Sequence, residues 1–325
     1  MNTISDSYQT QKTTNLLFLC GFPSSGTDLL KNTINAHSEV YINGEFPLLL
    51  KVASKYDPIV PASAVPTLLQ ELQGIDIHRN FENPSPQLDK DRSHHTFAEI
   101  YAAMLNSKDV RWKGNKTPQN TENIDRLKRI FPQAKFILIV RDIRDVALSW
   151  YKKWGKDKLL CAWKWNERMK RGHQLLQDLN ESDYAIVKYE DLLNDTEGTT
   201  RQICETLGLE FQDRILEFHK YVDRPLDGKL NYGAPVIQGN AGKWKRQLAN
   251  PEIKRIEEIA FEALNLFNYP IELATEARSL SPIKKLSGRG RDLFSILFIG
   301  NRARKGDRWR DRLELIALEI RKRLS

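Results

Sequence analysis

Leu16-Leu17-Phe18-Leu19-Cys20-Gly21-Phe22-Pro23-Ser24-Ser25-Gly26-Thr27-Asp28-Leu29-Leu30 is an unbroken apolar run, then a turn of Gly, Pro and Ser, then a second apolar segment. The first part reads as a strand buried on both faces of a sheet, and the segment from Thr27 to Asn35 as the helix that follows it. Strand, glycine turn and helix start together point backbone N–H groups and the positive end of a helix dipole at one spot, a cradle for an anion. Gly21 and Gly26 have the G-x-x-x-x-G spacing of a nucleoside-triphosphate loop, but Thr27 and Asp28 stand where that loop carries Lys and Ser/Thr. Lacking the lysine for the outer phosphates and the hydroxyl for magnesium, the loop speaks against ATP and GTP. It suits one phosphate-like group held without a metal, and a kinase-like enzyme is disfavoured.

Three later segments extend this reading. Ala134 to Val140 is a second apolar strand that ends in Arg141 and runs at once into a helix from Asp142 to Lys153. Ligands of open parallel sheets bind at such carboxyl ends. An arginine at the strand tip can fork two hydrogen bonds onto a phosphate, and Ser149, two turns into the helix, can add a hydroxyl. Tyr184 to Lys188 is a further strand, leading into Tyr189-Glu190-Asp191-Leu192. Gly239-Asn240-Ala241-Gly242-Lys243-Trp244-Lys245-Arg246 is a basic, glycine-bearing loop. With a strand near Val110 and helices at Phe97–Leu105, Thr121–Phe131, Cys161–Leu179, Thr196–Leu207 and Glu252–Leu266, strands alternate with helices. This calls for a parallel sheet covered on both faces.

In this order the segments resemble the sulfotransferases that use 3′-phosphoadenosine 5′-phosphosulfate, over about Leu16 to Phe267. The run Ile34-Asn35-Ala36-His37-Ser38-Glu39-Val40-Tyr41 through Asn43-Gly44-Glu45 is closest in style to the branch that includes the tyrosylprotein enzymes. The resemblance implies an α/β three-layer sandwich with a central parallel sheet, like that of P-loop nucleotide hydrolases. It implies metal-free, in-line transfer of a sulfuryl group to a hydroxyl of a carbohydrate, lipid or small-metabolite acceptor, leaving 3′-phosphoadenosine 5′-phosphate. It places Pro23, Ser24, Ser25, Gly26, Thr27 and Asp28 around the 5′-phosphosulfate, Arg141 and Ser149 on the 3′-phosphate, and Tyr189 near the adenine or ribose. Gly242, Lys243 and Trp244 belong to a loop over the nucleotide, with Lys243 facing a phosphate and Trp244 anchoring or stacking. Glu45 is implied as general base, within reach of the acceptor proton. Lys116, in Trp112-Lys113-Gly114-Asn115-Lys116-Thr117-Pro118, is implied as the cation on the leaving oxygen.

Two positions depart from that pattern. Ser24 stands where relatives usually carry Lys or Arg, and Asp28 where they usually carry Thr or Ser. Losing a cation and adding a carboxylate both weaken anion binding. Either Lys116 and Lys243 supply the charge, with Asp28 turned away, or the chain is a non-catalytic, nucleotide-binding or membrane-associated scaffold on the same fold.

The chain has 325 residues, 40% hydrophobic and 28% charged, an ordinary globular composition. No apolar run approaches the roughly 20 residues of a membrane span, and the polar N-terminus does not read as a signal peptide. Three scattered cysteines and six histidines without ligand spacing predict no disulfide framework, no metal and a cytoplasmic protein. Domains are expected as a flexible N-terminus 1–15, a sulfotransferase domain 16–270 and a basic amphipathic extension 271–325. Five prolines between Asp57 and Asp91 mark an insertion, 56–95, suited to an acceptor lid. Residues 281–325 carry 13 Lys/Arg against 5 Asp/Glu, a formal +8 equal to that of the whole chain. With an amphipathic helix expected at Trp309–Leu324, this tail suits peripheral contact with an anionic membrane, or docking on the protein or in a homodimer, better than nucleic acid.

Overall fold

Leu16, Phe18 and Cys20 belong to one hydrophobic core and Leu17 and Leu19 to another, all five being buried. Side chains alternate along a strand, so a strand between two apolar layers reads as continuous apolar sequence. This segment is β1 (Asn15–Gly21). The computed structural model describes residues 15–75, 81, 83, 85–105, 110–221 and 239–298. The other strands are β2 (Val40–Asn43), β3 (Ile59–Pro61), β4 (His94–Thr96), β5 (Trp112–Lys116), β6 (Lys135–Val140) and β7 (Tyr184–Lys188). One sheet has the order β2-β5-β1-β6-β7 with every pairing parallel, and β3 pairs antiparallel with β4 in a second, two-stranded sheet. Helices cover both faces of the larger sheet, giving the expected three-layer α/β sandwich.

The helices are α1 (Thr27–Asn35), α2 (Leu49–Tyr56), α3 (Val65–Ile75), α4 (Phe97–Leu105), α5 (Ile124–Ile130), α6 (Ile143–Trp154), α7 (Lys158–Gln177), α8 (Tyr189–Asn194), α9 (Thr196–Leu207), α10 (Trp244–Gln247), α11 (Asn250–Leu266) and α12 (Pro282–Phe298). Among the described residues none is long and apolar enough to cross a membrane.

Register decides what reaches the carboxyl edge of the sheet. Leu19 lies beside Lys116 on one side and Ile137 on the other, so Lys116 and Arg141, the first residue past β6, converge on the loop that leaves β1. The central strands approach closely at Gly114, where a Cβ would sit 1.7 Å from the Leu17 carbonyl oxygen, so only glycine fits.

Some expectations change in detail. β2 went unpredicted because it has only four residues, ends in Asn43 and lies at the sheet edge. The helix expected over Thr121–Phe131 is a 3₁₀ turn at Pro118–Glu122 followed by α5, with Asn123 at φ −130° breaking the two apart. The proline-rich stretch holds β3, α3 and β4, while residues 76–80, 82 and 84 within it lie outside the described residues, as do 1–14 and the helix expected at Trp309–Leu324. After α11 the chain straps back onto the domain. The Glu257 carboxylate accepts the N–H groups of Glu272, Leu273 and Ala274, and Leu280 is buried.

Candidate active site

The loop between β1 and α1 is fixed by its own backbone and by α6. The Ser25 N–H donates to the Phe22 carbonyl at 3.0 Å, Phe22 stacks on Trp150 at 5.2 Å between ring centres, and the Trp150 indole N–H donates to the Pro23 carbonyl at 3.1 Å. Ser24 takes φ +71° and Gly26 φ +90°. Gly26 is required for room as well, since a Cβ would lie 2.3 Å from Tyr189 Cδ2. Thr27, buried, opens α1. Ser25 is fully buried and its Oγ has no hydrogen-bond partner. A hydroxyl in that condition costs free energy unless a ligand completes it. Left-handed turn, helix start and orphan hydroxyl together fit a phosphate-like group.

Lys116 Nζ lies 2.9 Å from Glu45 Oε1 and 3.0 Å from Asp28 Oδ1. The lysine side chain is 5% exposed, whereas Glu45 and Asp28 are 39% and 48% exposed, so one buried ammonium faces two carboxylates open to solvent. Burial alone would depress the Lys116 pKa, but the charges of Asp28 and Glu45 and their hydrogen bonds outweigh it and hold it above the ordinary lysine value. The expectation that Asp28 turns away is corrected here. Its position in the first turn of α1 points the short side chain at the end of β5, and the ammonium draws it in. Glu45 is set by its neighbour: the Phe46 N–H donates to Thr117 Oγ1 at 2.9 Å, and Thr117 donates to Asn115 Oδ1 at 2.9 Å. Asn115 is itself held by Asn120 and Tyr101.

A third group closes over the loop. The Arg141 guanidinium lies 4.1 Å from the centre of the Tyr189 ring and donates to the carbonyls of Ser24 (3.3 Å) and Asn240 (2.8 Å), while its buried Nε has no partner. Asn240 donates to the Tyr189 hydroxyl at 2.6 Å. Burial raises the pKa of that phenol, although Arg141 opposes the shift. The Asp145 carboxylate accepts the N–H groups of Gly242 at 2.7 Å and Trp244 at 3.0 Å, pinning the late loop to α6. Trp244 is buried with the Arg144 guanidinium 3.8 Å from its ring centre, so it anchors the loop. The Lys243 ammonium donates to the Asn240 side-chain oxygen within the loop. Ser149 lies half-buried on α6, one turn beyond Asp145, on the side that faces the loop.

Loop, lysine with its carboxylates, and arginine with its tyrosine thus meet at one edge of the sheet. Sequence reading passed over Asn240, Asp145 and Trp150, whose roles come from contacts 51 to 127 residues away. A family model described as "Sulfotransferase family" matches residues 17–213. The chain belongs to the sulfotransferase family. Protein-tyrosine sulfotransferase 2 of Gallus gallus is 25% identical over 225 residues, 67% of this chain and 57% of that protein. The protein-tyrosine sulfotransferase of Drosophila melanogaster is 22% identical over 269 residues, 75% of this chain and 50% of that protein. The chain therefore spans about half the length of these relatives. Among solved structures, the sulfotransferase domain of the Synechococcus PCC 7002 olefin synthase superposes with a TM-score of 0.60 at 19% identity, covering 81% of this chain and 98% of that domain, a likeness of fold.

Proposed function

We propose that this sulfotransferase-family chain transfers the sulfuryl group of 3′-phosphoadenosine 5′-phosphosulfate to an acceptor hydroxyl. The observation that carries this reading is the contact of Lys116 with the solvent-open carboxylate of Glu45, at the mouth of a loop with a buried, unpartnered hydroxyl at Ser25.

The residues divide the work. The loop N–H groups, Ser25 and the start of α1 hold the 5′-phosphosulfate. Arg141 and Ser149 hold the 3′-phosphate, Tyr189 supports the arginine and Gly26, and the Gly242–Trp244 loop lies over the nucleotide. When bound, the donor supplies the sulfuryl group and a phosphate leaving group. Glu45, exposed on one side, accepts the proton of the acceptor hydroxyl as that oxygen attacks. Lys116, kept charged by its surroundings, stabilises the negative charge that develops on the leaving oxygen. The 56–95 insertion lines the acceptor side. Its acceptor is the hydroxyl of a carbohydrate, lipid or small metabolite, and a tyrosine peptide belongs in the same assay because of the names its relatives carry.

Calorimetric titration with 3′-phosphoadenosine 5′-phosphate is the direct test. Binding without magnesium, lost in Arg141→Ala, supports the reading, and transfer of labelled sulfate to a hydroxyl acceptor, lost in Glu45→Gln, completes it. Asp28 against Lys116, with Ser24 in place of a cation, favours the second reading, a nucleotide-binding scaffold. Nucleotide binding with no transfer to any acceptor class would bring that one forward.

A further inference from the structure

Over residues 282–292, whose side chains are described, helix α12 is docked with its apolar side outward. Lys285, Gly288 and Asp292, spaced on one face, are the positions that lose exposure to solvent. A Cβ on Gly288 would lie 3.1 Å from Leu160 Cβ, so the small residue lets α12 approach α7. Asp292 accepts the Asp157 N–H at 3.1 Å and pairs with Lys164 at 3.2 Å. On the opposite side Ile283 is 80% exposed and Leu286 71%. An amphipathic helix that merely packs on its own domain buries such residues instead.

The surroundings of this stripe are cationic. Lys284 and Arg289, both exposed, flank it on α12, and Arg291 pairs with Asp157 at 3.0 Å. At the turn from α6 to α7, where the Asp157 N–H meets Asp292, Lys152 and Lys153 are exposed, Lys153 lies 4.9 Å from the ring centre of the half-buried Trp154, and Tyr151 is 53% exposed. Exposed aliphatic side chains on a helix with exposed lysine and arginine beside them match a lipid interface: aliphatic groups enter the acyl boundary and cations meet anionic phosphates. A second protein copy carrying the same positive face would be repelled by it.

We propose that α12 and the α6–α7 turn form a docking face for an anionic phospholipid bilayer. The claim does not depend on the transfer reaction. Its test is sedimentation of the full-length chain with vesicles of phosphatidylglycerol and phosphatidylcholine, against phosphatidylcholine alone, at low and at 0.5 M salt. Binding only to the anionic vesicles, weakened by salt, is expected. The double variants Ile283→Asp/Leu286→Asp and Lys152→Glu/Lys153→Glu should each reduce partitioning by about tenfold or more, while melting temperature and nucleotide titration stay those of the unaltered chain. No binding to anionic vesicles, or binding that both variants retain, overturns the proposal. So does a dimer by sedimentation velocity that Leu286→Asp disperses, which would assign the stripe to a second copy.

Discussion

Two cations beside the carboxyl edge of the sheet live in contrasting surroundings. Arg144 is wholly buried: its guanidinium lies 2.7 Å from Asp142 Oδ2 and 2.6 Å from Glu257 Oε1, neither carboxylate more than 9% exposed, and it stacks on Trp244. Every nearby charge there is answered, Glu257 by three backbone N–H groups as well. Lys116 is almost as buried, but its partners Glu45 and Asp28 keep oxygen atoms in solvent. A closed ion network holds architecture; an open one leaves groups that can still change partner, which a reaction needs.

The comparison breaks most visibly at Glu257. Glu257→Ala strands the buried guanidinium and three N–H groups, so it should cost about 3–5 kcal/mol of stability, read as a lower urea midpoint. Glu45→Gln should do the opposite. Glu45 is itself open to solvent and Lys116 keeps Asp28 as a partner, so stability changes by about 1 kcal/mol or less, while transfer falls about a hundredfold or more as the base is lost. If Glu45→Gln unfolds the protein, or Glu257→Ala leaves its midpoint unchanged, the division between closed and open networks is wrong.

A pH series sharpens the same contrast. Glu190 accepts the Asp142 N–H at 3.1 Å and the Tyr269 hydroxyl at 2.8 Å, next to the closed network, and burial raises its carboxyl pKa. Burial likewise raises Asp145, against the pull of Arg141. A carboxyl whose pKa is raised on folding binds its proton more tightly in the native state. Its contribution is therefore best below the ordinary carboxylate range and is lost as pH rises through the folded-state value. Glu190→Gln should flatten that part of the decline, so the difference between variant and parent urea midpoints shifts in favour of the variant from pH 4 to pH 7. A difference that stays constant over this range would remove Glu190 from the account.

How much of this was legible in sequence depends on how far apart the partners lie. The Gly21–Asp28 loop was readable because strand, glycine turn and helix are consecutive and each has a local pattern. Arg141 and Lys116 were readable as the tips of strands or their neighbours. The inward turn of Asp28 was not, because it depends on where β5 places Lys116, 88 positions away. Asn240 and Asp145 were silent for the same reason: an amide and a carboxylate in polar segments carry no sign of a partner across the fold. The docking of α12 ran against pattern, since amphipathicity alone would bury Ile283 and Leu286 rather than Gly288.

The smallest effect is the most discriminating. Asp28 occupies the Lys116 ammonium, yet it is nearly half exposed, so water and salt screen much of the attraction and of its repulsion toward a bound phosphate. Asp28→Asn removes that negative charge and keeps nearly the same size. If Asp28 competes with the phosphosulfate for Lys116, the variant should bind 3′-phosphoadenosine 5′-phosphate more tightly, by about 1 kcal/mol or less, at most about fivefold. The gain should shrink in high salt. Weaker binding would mean instead that Asp28 holds Lys116 where the nucleotide needs it, and the open network would then be a preset support for Lys116 and not a contest between Asp28 and the phosphosulfate for it. Calorimetry on the two proteins at two salt concentrations separates these outcomes, because competition and support predict opposite signs for one substitution.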